Sequence, residues 1–161
     1  MLQFALPGSP NLYYGSELDM EGGDDPEMRG PMAWDRVAAR HPTLDWTKQL
    51  IAVRKQHRAL RVGDYRRIEA QNLIAFERYT DRAADTVLVF ANPSERPVQE
   101  LVLVGNSKLM DGTQFIDLLQ SGSSPSMSSA LLTVKLPPKG FLLLRPQTAE
   151  LQGYTNYKRV Q

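Results

Sequence analysis

Thr86-Val87-Leu88-Val89-Phe90-Ala91 is the stretch on which the fold turns. It carries no charge, is rich in β-branched and aromatic side chains, and reads as a strand. Successive strand side chains point to opposite faces, so Val87, Val89 and Ala91 oppose Leu88 and Phe90. Both faces are apolar, which expects packed layers on either side. Outward from it, short runs rich in Val, Leu, Ile and Phe recur at 65–69, 73–79, 98–104, 114–119, 131–136 and 141–145. Turn residues separate them at 81–85, 92–96, 111–112, 121–129 and 137–140. This punctuation predicts a mainly β chain, with an antiparallel β-sandwich over residues 63–146. The Ser-rich stretch 121–129 is expected to be a hairpin loop, and residues 147–161, with little apolar pattern, a loose tail.

Upstream the pattern changes. Trp46, Leu50, Val53, His57 and Leu60 recur at helical spacing, with Lys48, Arg54, Lys55 and Arg58 mostly off that stripe. Thr43 is expected to cap this helix and Gly63 to end it. His57 and Trp46 read as core residues on the stripe. The segments 2–6 and 11–14 are short and apolar, the second with the aromatic richness of a buried strand, and together they read as half of a βα unit. Between them and the helix, residues 15–42 lack periodicity and are rich in Gly, Pro, Asp, Glu and Met. A loop of about 28 residues in a compact protein is usually functional or disordered.

Composition narrows the chemistry. At 161 residues the chain has room for one complete domain and a remnant. Lys and Arg (19) nearly balance Asp and Glu (18), giving no positive field to hold nucleic acid or an anionic membrane. The absence of Cys removes disulfides, thiolate metal sites and Cys nucleophiles, and leaves the compartment undetermined. With only His41 and His57, a multi-histidine metal site cannot be assembled. No cofactor motif is present. Residues 1–6 lack the basic region of a signal peptide, and any such peptide is expected upstream of residue 1.

The loop carries the most specific motif. Pro7-Gly8-Ser9-Pro10-Asn11-Leu12-Tyr13-Tyr14-Gly15-Ser16-Glu17 is followed by Gly22-Gly23-Asp24-Asp25-Pro26-Glu27-Met28-Arg29 and then Gly30-Pro31-Met32-Ala33-Trp34. This run resembles the last barrel strand and following loop of the α-amylase superfamily of glycoside hydrolases. Members often carry Pro-Gly-x-Pro-x-Ile-Tyr-Tyr-Gly-x-Glu and then Gly-Gly-x-Asp-Pro-x-x-Arg. The whole run is most similar to the neopullulanase, cyclomaltodextrinase and maltogenic amylase group.

The resemblance implies that residues 1–62 are the C-terminal remnant of a (β/α)8 catalytic barrel, followed by a β-sandwich C-terminal domain at 63–146 and a tail at 147–161. It implies a retaining enzyme acting on maltodextrins or cyclodextrins, with an α-glucan oligosaccharide and the upstream barrel domain as partners. Glycosidic hydrolysis uses two carboxylates across the scissile bond. In this family those groups come from earlier barrel strands, and no stretch here resembles their motifs. No catalytic residue is therefore assigned, and the chain alone is expected to be inactive. The resemblance gives Asp25 and Arg29 a role in hydrogen-bonding glucosyl units, chemistry that a carboxylate and a guanidinium fork can supply. An ion pair shaping the loop is the other reading, and both can hold together. Glu17 is expected to hold loop backbone through its carboxylate, and Tyr13, Tyr14 and Trp34 to pack. A contrasting reading of the whole chain is a non-catalytic β-sandwich binding or structural module. Surfaces of residues 1–60 that would normally meet barrel neighbours are expected to invite self-association.

Overall fold

The computed structural model describes residues 1–38, 40–120, 122 and 125–148. The expected tail therefore falls largely outside the described residues, as do parts of the Ser-rich loop. The helices are α1 (Leu2–Ala5), α2 (Trp34–Ala38), α3 (Pro42–Gln56) and α4 (Arg58–Val62). The strands are β1 (Asp64–Arg67), β2 (Ile74–Tyr79), β3 (Val87–Ala91), β4 (Val98–Leu103), β5 (Phe115–Asp117), β6 (Leu131–Leu136) and β7 (Phe141–Pro146). Short 3-10 turns cover Ser16–Leu18, Glu27–Arg29 and Ala83–Asp85.

Every expected strand beyond residue 63 is present, and all pairings are antiparallel. One sheet runs β1-β2-β3-β7-β5, and a ribbon of β4 and β6 lies against it. Register follows the apolar alternation. Leu88 and Phe90 of β3, Ala75 of β2 and Leu142 and Leu144 of β7 face the ribbon's Val102, Leu132 and Val134. On the other face, Val87, Val89, Phe76 and Leu143 meet Ala5 of α1, Val53 of α3 and Ala59 and Leu60 of α4. β3 is buried along its whole length, as its two apolar faces require. Each fully buried Val, Leu or Phe side chain in these layers contributes roughly 1.5 to 3 kcal/mol.

Two buried charges tie the layers. Glu77, 1 % exposed, accepts from the Arg66 guanidinium and, at 2.7 Å, from Asn106 Nδ2. Arg78, also 1 % exposed, points to the helical side and donates to the carbonyls of Ala5 (2.7 Å), Leu60 (3.3 Å), Gly63 (2.7 Å) and Asp64 (3.3 Å). Burial of Arg78, with Arg54 nearby, lowers its affinity for the proton from the usual guanidinium value.

The N-terminal third departs from the sequence expectations. Residues 2–5 form α1, and 11–14 form no strand. A strand needs a neighbour to complete its ladder, and no described strand lies beside either segment. Pro7 and Pro10 also remove two backbone donors. The long helix begins at Pro42, with His41 in the capping position and no side-chain cap. Proline is favoured at that first helical position because its missing N–H would have no partner there, and Thr43 is released for another contact. The helix breaks at His57, whose backbone is extended (φ −104°, ψ 109°), before α4 resumes. Leu50 and Val53 are buried as expected, joined by Thr47. Trp46 is only half-buried, stacking on Phe141 with centroids 6.2 Å apart. Gly63 ends α4 because of space: a Cβ there would lie 2.5 Å from the Ala59 carbonyl oxygen and 2.7 Å from that of Tyr79.

Candidate saccharide-binding rim

The acidic loop is folded by local contacts. Gly15 has φ +86°, and a Cβ on it would meet the Met20 sulfur at 2.5 Å, so glycine alone suits the turn into Ser16–Leu18. Leu18 is fully buried and pins the loop to the helical layer. The Asp19 carboxylate accepts a 2.6 Å hydrogen bond from Thr43 Oγ1 at the start of α3, with His41 Nε2 at 4.0 Å. Arg36 of α2 donates to the carbonyls of Leu18 (3.0 Å) and Asp19 (3.2 Å). The guanidinium of Arg36 thus holds loop backbone, the job expected of the Glu17 carboxylate.

A second turn, Glu27–Arg29, closes over the first. Tyr14 Oη donates to the Gly30 carbonyl at 3.0 Å, and Tyr13 Oη reaches the Met28 carbonyl at 3.5 Å. A concavity of ≈ 450 Å³ opens between the turns, walled by Tyr13, Tyr14, Met20, Glu21, Glu27 and Met28. Desolvation and the neighbouring Tyr13 raise the Tyr14 phenol above its ordinary pKa, while Arg29 pulls the other way. Tyr14 therefore remains a neutral hydrogen-bond donor at neutral pH.

Tyr13 and Tyr14 are 57 % and 41 % exposed, correcting their assignment to the core. Consecutive residues of a strand face opposite ways, so both would be buried only with neighbours on two sides. No such neighbours are present among the described residues. Trp34, expected to pack, is 72 % exposed at the start of α2.

Asp25 and Arg29 come together. Arg29 Nη2 lies 3.1 Å from Asp25 Oδ2, and both side chains are more than half exposed (Arg29 65 %, Asp25 55 %). They bracket Glu27 and Met28 of the groove wall in sequence, but they are outside the groove's own lining. The pair presents carboxylate acceptors and unused guanidinium donors to solvent, a set that suits vicinal hydroxyls. The groove tyrosines, Arg36 and the Asp19–Thr43 contact were not singled out as functional from sequence. The signal available was the Tyr-Tyr pair itself, too apolar at its ring faces and too polar at its tips for a site buried on all sides.

Among the described residues no three His, Asp or Glu side chains converge as a metal site would need. No described helix is long and apolar enough to cross a membrane.

No family model matches the chain. A cyclomaltodextrinase from Geobacillus thermopakistaniensis is 35 % identical over 144 residues, covering 89 % of this chain and 24 % of the relative. The crystal structure of a maltogenic amylase from S. marinus superposes with a TM-score of 0.65 at 30 % identity, over 89 % of this chain and 18 % of that one. An α-amylase from Geobacillus thermoleovorans, solved with acarbose, gives a TM-score of 0.75 at 21 % identity over 90 % of this chain and 31 % of its own, a likeness of fold. The chain thus spans about a quarter of the length of the cyclomaltodextrinase it matches.

Proposed function

Because this chain belongs to the α-amylase superfamily of glycoside hydrolases, we propose that it is the C-terminal portion of a retaining α-glucan hydrolase acting on maltodextrins or cyclodextrins. In this reading residues 1–62 complete a (β/α)8 barrel, residues 63–146 form the C-terminal β domain, and Asp25 and Arg29 hydrogen-bond glucosyl units at the rim. The observation that carries it is the coincidence of two features. The sequence similarity runs through most of the chain, and the motif residues Asp25 and Arg29 stand side by side, exposed, next to a groove walled by tyrosines. The catalytic carboxylates are assigned to the upstream barrel, so the chain alone does not hydrolyse glucan. Leu12, Trp34 and Val37, exposed and outside the groove lining, are the apolar side chains on which that barrel would sit. Without it the surface favours self-association.

Purified chain incubated with maltodextrin should give no reducing ends. Turnover that Asp25→Ala abolishes would overturn the reading. In the protein joined to its upstream barrel, Arg29→Ala should lower kcat/KM by about 10- to 150-fold, equivalent to one charged hydrogen bond of roughly 1.5 to 3 kcal/mol. An unchanged kcat/KM removes Arg29 from the site. If the coding sequence ahead of Met1 lacks the family's catalytic Asp and Glu, a non-catalytic module is the reading that stands.

A further inference from the structure

We propose that Arg54 is a positioning residue that fixes the base of the groove loop, so that the β domain sets where the tyrosine-walled groove lies. The proposal rests on the rim reading above for its functional meaning, and on geometry for its substance. The backbone of residues 4–8 leads directly into Tyr13 and Tyr14. Its carbonyls need partners, and among the described residues no strand runs beside them. Two guanidiniums supply the donors instead. Arg54, near the end of α3, donates through Nη1 to the carbonyls of Phe4 (2.7 Å) and Leu6 (3.3 Å) and through Nη2 to that of Gly8. Arg78 takes the Ala5 carbonyl between them at 2.7 Å.

The two arginines differ in what else they do. Arg78 also holds Leu60, Gly63 and Asp64, and so belongs to the framework of the domain. Arg54 is half-buried, and its hydrogen bonds among the described residues all go to residues 4–8. The carbonyls it holds alternate along the chain, so one planar fork grips one edge of the segment. A lysine ammonium, with its donors on one atom, can hold part of that edge but not span it.

Helix α3 therefore secures the tyrosine segment at both ends. Arg54 near its C-terminus holds the backbone entering the segment, and Thr43 at its N-terminus holds Asp19 just beyond it. A rigid helix with two fixed attachment points defines the distance and direction of what hangs between them. α3 in turn packs on the sheet through Val53, which conveys the position of the β domain to the groove.

Amide hydrogen exchange on the full 161-residue chain tests this, comparing wild type, Arg54→Met and Arg54→Lys. Arg54→Met should accelerate exchange across residues 2–20 by roughly tenfold or more, with β2, β3 and β7 unchanged, as expected for release of one local unit. Arg54→Lys should fall between the two. Unchanged exchange across 2–20, equal acceleration in the strands, or a Lys variant no better than Met would each overturn the proposal. Maltotriose added to the wild-type sample addresses the sugar reading separately. Lack of protection at 13–30 would count against that reading, while the exchange difference between Arg54 variants would still support the positioning role.

Discussion

The Arg29 guanidinium and the Asp25 carboxylate lie one turn apart in sequence and 3.1 Å apart in space, and neither is buried. An exposed pair of this kind contributes about 0 to 1 kcal/mol to stability. Arg29→Ala should therefore leave the urea midpoint of the chain almost unmoved. A loss well above about 1 kcal/mol would assign the pair to the architecture of the loop instead of to ligand contact.

The strand buried on both faces gives a stronger prediction. Leu88 is fully buried between the sheet and the β4–β6 ribbon. Leu88→Ala should cost about 2 to 5 kcal/mol in urea denaturation, the value depending on how far the ribbon collapses into the space.

Gly63 should resist even the smallest side chain. Two backbone oxygens, of Ala59 and Tyr79, stand within 2.7 Å of where a Cβ would sit, and neither belongs to a flexible side chain. Gly63→Ala should destabilise by about 1 to 3 kcal/mol. A neutral or stabilising result, measured by denaturation, would mean that α4 shifts freely against β2.

His57 makes stability depend on pH. Burial foremost, and the nearby Arg145 charge, lower its pKa below the ordinary 6.5, with Asp85 opposing. The unfolded chain then takes up a proton as pH falls through 6.5 while the folded chain stays neutral. The unfolded state binds more protons in that window, so stability falls as pH falls. Denaturation midpoints measured above and below this pKa should differ less in His57→Asn than in wild type. Equal differences would remove His57 as a source of the slope.

The β domain was legible in sequence because each of its strands carries its own alternation and its own turn residues. β6 was delimited to the residue, since the Ser-rich stretch ending at Ser129 before it and Pro137 after it interrupt the pattern. The N-terminal third was less legible. Apolar content at 2–6 and 11–14 does not say whether a neighbouring strand exists, and without one the backbone carbonyls turned to Arg54 and Arg78. The helix start was misplaced by two residues, the cap falling at His41 and not Thr43, because Pro42 is a good first residue and Asp19 claimed the Thr43 hydroxyl. Asp25 and Arg29 were found through a motif and brought together by the 3-10 turn between them, while the groove beside them arises from contacts between distant turns that no local pattern encodes.

Val89 and Phe90 are chain neighbours that serve opposite apolar layers. Loosening either layer pulls on the same stretch of backbone, so the helical cover and the ribbon share one melting transition and a calorimeter should record a single peak.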